Sequence, residues 1–261
     1  MRKFGFKFFS TNFQTAPDTV RECVNFIKNR PDMFLELMTV PSSTVDDFKQ
    51  IKRQTESVEV RIHAPYMDFD TGNREMEQHN KKLLAVAQQA ADIFGAETIV
   101  VHGGCGHGRE YVEETARQFK NFNDKRIVVE NIPYYGRNGE LLHGCIAEEI
   151  AYIMSESGCG FCLDFAHAIC AALSLNMNTE NLIKSLYELK PRVYHLCDGD
   201  IGRCEDMNLH FGTGNYPLEH FLRDYTDANA YITMETGSGF EARNDLRIAD
   251  YEYIKSLAVR L

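Results

Sequence analysis

The chain has 261 residues, of which 44% are hydrophobic and 25% charged, an ordinary globular balance with enough apolar mass for a sizeable core. The formal net charge of −10 argues against a broad basic face for non-specific nucleic-acid binding, although bound divalent cations would reverse the field locally. No stretch approaches the ~18 apolar residues of a membrane span. The N-terminal run MRKFGFKFFSTNF lacks the apolar core and cleavage site of a signal peptide, so the eight cysteines read as reduced thiols of a cytoplasmic protein. Cys159 and Cys162 form a lone CxxC, and a structural zinc site would want a second pair that is not well placed here.

In chain order, short apolar and β-branched runs alternate with helical patterns. The predicted strands are 4–9 (within KFGFKFF), 33–38 (MFLELM), 58–66 (VEVRIHAPY), 98–104 (TIVVHGG), 126–132 (RIVVENI), 160–167 (GFCLDFAH), 192–198 (RVYHLCD) and 230–236 (AYITMET). Between them lie segments with helical spacing, such as NKKLLAVAQQAADIF and TENLIKSLYELK. Eight strand–helix units in order predict a single (β/α)8 TIM barrel over residues 1–261, and such a barrel needs about 250 residues. An open doubly wound sheet is the competitor. It usually carries a Gly-rich first βα turn, whereas the loop here is STNFQTAPD.

Parallel strands are buried on both faces and should be almost wholly apolar. Yet strand after strand here ends in His, Asp or Glu: His63, His102, Glu130, Asp164 with His167, His195 and Glu235. Asp206 and His210 follow on the loop after strand 7. A (β/α)8 barrel builds its active site at that end. Buried carboxylates without partners would destabilise the fold, and a shared metal cluster would satisfy them together. Imidazole and carboxylate suit zinc, with manganese or another divalent metal as the alternative. Asp198 and Asp200 are candidates to support His195 through hydrogen bonds. Arg137 and Arg203 follow strands 5 and 7 and could take a phosphate or carboxylate bidentately.

The strings HAPY, VVHGG, VVEN, LDFAHA, YHLCDGD, HFGTGN and METG resemble the xylose isomerase-like TIM barrel superfamily, and within it most closely the endonuclease IV branch (AP endonuclease family 2). The resemblance covers nearly the whole chain. It implies that His63, His102 and Glu130 hold one metal, that Glu130 bridges to a second held by Asp164, His195 and Glu235, and that His167 and Asp206 hold a third. Two or three zinc ions would then hydrolyse a phosphodiester, either at an abasic site in DNA, as in DNA repair, or in a smaller phosphate ester. Tyr66 falls where a substrate-contacting Tyr would lie. The branch has Asp-x-His on the strand-7 loop, but this chain reads Asp206-Met207-Asn208, so either His210 replaces the missing ligand through a shifted loop or the third site is weak or empty. The DNA-binding insertions of a true abasic-site endonuclease are also hard to find. The alternative within the same superfamily is a sugar isomerase or epimerase, with one metal on Glu130, Asp164, His195 and Glu235 and the two glutamates as acid/base pair. A non-catalytic metal-binding protein is the third reading. None of these readings implies a membrane or an obligate protein partner.

Overall fold

A computed structural model describes residues 1–237 and 243–259. Eight strands, β1 (Lys3–Phe9), β2 (Met33–Met38), β3 (Val60–His63), β4 (Ile99–His102), β5 (Ile127–Glu130), β6 (Gly160–Asp164), β7 (Val193–Leu196) and β8 (Tyr231–Met234), pair in parallel and in chain order. β8 returns to β1 and closes the barrel. Around it run α1 (Asn12–Thr15), α2 (Pro17–Lys28), α3 (Val45–Gln54), α4 (Glu77–Phe94), α5 (Arg109–Phe122), α6 (Ala147–Ser157), α7 (Phe165–Ser174), α8 (Thr179–Tyr187), α9 (Leu218–Tyr225) and α10 (Asn244–Val259). The architecture is therefore the predicted (β/α)8 barrel.

Local chemistry explains where the elements stop. α3 opens with a reciprocal capping box between Thr44 and Asp47. α4 buries Leu83, Leu84, Ala87, Ala90, Ala91 and Phe94 at helical spacing and ends at Gly95 in the left-handed conformation. Most strands are shorter than their apolar runs. The run 58–66 ends as a strand at His63, before Pro65, which has no N–H to donate. The run 160–167 ends at Asp164, whose carboxylate accepts the His167 N–H at 2.7 Å and starts α7. His167 thus belongs to a helical first turn and not to a strand end.

The two faces of each strand do different work. Phe4, Phe6 and Phe8 on β1 join the main core. The alternate residues of the strands fill the barrel itself. At its N-terminal end Arg61 lies over the Tyr231 ring, 3.4 Å from its centroid, and Phe34 packs edge-on to Tyr231. Gly5 makes room for that layer, because a Cβ there would meet the Phe34 ring at 2.4 Å. Above it, Val100, Val128, Cys162 and Val193 form a separate apolar plug. With a side-chain period of two, the next inward residues on those strands are His102, Glu130, Asp164 and His195. The fold thus lifts one ring of polar side chains onto a dry floor at the C-terminal end of the barrel. All eight cysteines are free, and among the described residues no helix is long and apolar enough to cross a membrane.

Candidate metal centre

Glu130, buried at the end of β5, is the hub. Its Oε2 lies 3.3 Å from His63 Nε2 and 3.0 Å from His102 Nε2. Its Oε1 lies 3.0 Å from His195 Nδ1 and 3.4 Å from His167 Nδ1. Each carboxylate oxygen therefore faces its own pair of imidazoles. Glu235 reaches the same ring, with its Oε1 2.7 Å from His195 Nδ1.

His63, His167 and His195 are anchored as ligands usually are, by one ring nitrogen each. His63 Nδ1 donates to the Ala64 carbonyl at 2.8 Å, and His167 Nδ1 donates to the Asn131 carbonyl at 2.9 Å. His195 Nε2 is held 3.1 Å from Glu36 Oε2. Tyr66 stacks on the His102 ring, 5.4 Å between centroids. Asn131 locks β5 to β6 by donating to the Asp164 carbonyl at 2.9 Å and accepting the Asp164 N–H at 2.8 Å.

Electrostatics follow from crowding anions and imidazoles where water is scarce. Burial alone would push the Glu130 carboxyl up, but the fields of His195 and His102 hold it well below the usual range. Glu235 is likewise held low, by Lys7 and His195 against burial. Burial would push His195 down, yet Cys162, Glu36, Glu130 and Glu235 raise it well above the ordinary value. His167 is raised against burial by Asp164, Asp206 and Glu130. His102 is lowered by burial, against the pull of Glu130. Asp164 is pushed up to about 7 by burial and then by Glu130, Glu235 and Asp206, with His167 opposing.

The donor set fits divalent metal. His63, His102 and Glu130 bring ligand atoms within 4.8 Å of one another, and so do Glu130, Asp164, His195 and Glu235. The two groups share Glu130. The remaining predicted residues do not gather so closely. His167 Nε2 is 3.7 Å from Asp206 Oδ2, and Asn208 spends its amide on Asp206 at 2.9 Å. His210 Nδ1 is drawn to the buried Asp250 of α10, 2.7 Å away. Arg203 is exposed and lies 3.4 Å from Asp200, while Arg137 is exposed on the hairpin after β5.

Two charged residues escaped the reading of strand ends. Lys7 on β1 bridges Glu36 and Glu235, with Nζ 3.6 Å from Glu36 Oε1 and in a direct ion pair with Glu235 Oε1. Glu36, fully buried on β2, also accepts the Thr233 hydroxyl at 2.7 Å. Both lie inside their strands. The signal that would have found them is a lone charge in an apolar run, Glu36 in MFLELM and Lys7 in KFGFKFF. Support for His195 therefore comes from Glu36. Asp198 turns away to accept backbone N–H groups of Gly199, Gly212, Gly214 and Tyr216 at 2.9 to 3.1 Å, and Asp200 binds Asn215 and the Gly202 N–H.

Comparison with known proteins places this geometry in a lineage. A family model described as xylose isomerase-like TIM barrel matches residues 2–257. A protein of Mycobacterium leprae named "Probable endonuclease 4" is 27% identical over 195 residues, 71% of this chain and 75% of that one. The crystal structure of endonuclease IV from Thermus thermophilus superposes with a TM-score of 0.69 at 20% identity, covering 99% of this chain and all (100%) of the other. That of a D-tagatose 3-epimerase-like protein superposes with a TM-score of 0.67 at 18% identity, covering 97% and 96%. This chain belongs to the xylose isomerase-like TIM barrel family.

Proposed function

We propose that this chain is a metal-dependent phosphodiesterase of the endonuclease IV type. The observation that carries the reading is Glu130 between two imidazole pairs, one on each carboxylate oxygen. A carboxylate so placed is suited to bridging two cations, and a one-metal isomerase has no need of His63 and His102 as ligands. His63, His102 and Glu130 would hold one zinc, and Glu130, Asp164, His195 and Glu235 a second, with manganese as the other candidate. His167, Asp206 and His210 remain candidates for a third. Divalent ions bound there supply a water of lowered pKa and neutralise charge on the attacked phosphate and the leaving oxygen. The chain's own residues do the rest. Glu130 fixes the spacing of the two groups, Glu36 aims the His195 ring, and Tyr66 covers His102 at the mouth. Arg137 and Arg203 are the candidate anion contacts. Similarity to a relative named "Probable endonuclease 4", 27% identical over 75% of its length, supports the reading.

A sugar isomerase or epimerase is the second reading. The observation in its favour is that Glu130, Asp164, His195 and Glu235 gather as one complete four-residue set, whereas His167, 3.7 Å from Asp206, joins no such set. The net charge of −10 also argues against a broad basic face for duplex DNA.

Metal content and turnover separate the two. Protein purified without chelator or affinity-tag metal is expected to carry at least two zinc ions per chain and to cleave an abasic-site duplex or a small phosphodiester. One exchangeable manganese or cobalt, with deuterium exchange from solvent into a ketose, would instead establish the isomerase.

A further inference from the structure

Glu36, His63, His195 and Glu235 bring four ligand atoms within 4.8 Å of one another, two imidazoles and two carboxylates, a set that zinc takes readily. Three observations show that something else already serves it. Lys7 Nζ pairs with Glu235 and lies 3.6 Å from Glu36 Oε1. Glu36 is wholly buried, and its Oε1 has no hydrogen bond. The other oxygen of Glu36 is taken by Thr233 at 2.7 Å and His195 at 3.1 Å. An isolated buried carboxylate is costly, so a cation must face Oε1. The nearest fixed one is the Lys7 ammonium, delivered by β1 in register with Glu36, since Lys7 and Glu36 are paired across β1 and β2.

We propose that Lys7 is the resident cation of this corner of the cluster: it fills the charge role a divalent ion would take among Glu36, His63, His195 and Glu235, and so keeps a metal out. A protonated amine cannot be a ligand, and a divalent ion placed among the same carboxylates would meet it at short range without water to screen the repulsion. Lys7 also pairs with both Glu36 and Glu235. That leaves His195 Nδ1 facing Glu130 and Glu235 while Nε2 stays on Glu36. The inference rests on the reading that the cluster holds divalent metal. It adds that the chain limits the number of ions by a lysine of its own.

The test is metal stoichiometry by native mass spectrometry and elemental analysis, with zinc alone as the probe, on the full chain and its variants. Lys7→Met removes the charge and keeps most of the length, and it is expected to bind one more zinc per chain than the parent, on Glu36, His195 and Glu235, since His63 Nε2 serves the ion shared with His102 and Glu130. Lys7→Arg keeps the charge and is expected to bind the parental number. Equal counts for Lys7→Met and the parent overturn the proposal. Should Lys7→Met be insoluble, the pair Lys7→Met with Glu36→Gln removes cation and anion together. It is expected to fold and to bind the parental number, and a pair as insoluble as the single variant also overturns the proposal. A parent chain that binds no zinc would sink the phosphodiesterase reading, while a zinc gained only by Lys7→Met would still identify Lys7 as the occupant.

Discussion

A carboxylate set between Val129 and Asn131 at the end of an apolar strand is unstable unless partners meet it, and imidazoles meet Glu130 on both oxygens. The amide of Glu130→Gln keeps the shape and removes the charge. It can accept on one side only, so it cannot serve both imidazole pairs. The expected outcome is a fall in metal affinity of at least ~100-fold, with turnover lost, read by metal titration and activity together. Retained affinity would break the assignment of Glu130 as the shared ligand. His102→Ala discriminates further. Its ring touches Glu130 Oε2 at 3.0 Å and lies under Tyr66. A phosphodiesterase should lose one ion and most of its kcat, whereas an isomerase using His102 as a substrate contact should lose mainly substrate affinity, seen as a raised KM.

At the scale of elements, the barrel was legible because β3 to β8 each carried an apolar run ending in a metal-type side chain, and because turns and caps punctuated the helices. His63, His102, Glu130, Asp164, His195 and Glu235 stood out because they ended such runs. Lys7 and Glu36 did not, because the rule applied was strand end and not inward parity; period two puts them on the same inner face one step earlier. Tertiary partners were equally hidden. Nothing local to His210 announces Asp250, forty residues on. The loop after β7 shows how a motif can be structural. In HFGTGN, Gly214 is required because a Cβ would come within 2.3 Å of the Gly199 carbonyl and 2.5 Å of Asp198. Asp198 gathers four backbone N–H groups of this loop and is nearly wholly buried. Asp198→Ala strips those donors of their acceptor. The predicted cost is about 3 kcal/mol, seen as a lower urea midpoint at unchanged slope. An unshifted midpoint would mean that the loop is held by other contacts.

For the whole molecule, the metal-free cluster is held together by protons, and that fixes how stability and metal binding must depend on pH. His195 and His167 are raised above their ordinary values, and Asp164 is raised to about 7. A group whose folded pKa exceeds its unfolded value stabilises the fold below the unfolded pKa and loses that contribution as pH rises through the folded one. Glu130 and Glu235 are depressed, so their contribution is present above the ordinary carboxylate pKa and is lost only in acid. The metal-free protein should therefore be most stable in acidic solution, losing the Asp164 contribution as pH rises from the ordinary carboxylate range to about 7, and that of His195 and His167 as pH rises beyond the ordinary imidazole range. A divalent ion replaces those protons. Its binding must release them, and the stabilisation it confers, RT ln(1 + [M]/Kd), must grow with pH. Zinc titrations by calorimetry at pH 6 and pH 8, in buffers of different ionisation enthalpy, should show proton release and tighter binding at the higher pH. Thermal melts should show a metal-induced rise in Tm that is larger at pH 8 than at pH 6. Binding without proton release, or with equal affinity at both pH values, would mean that the ion is not held by His195 and Asp164.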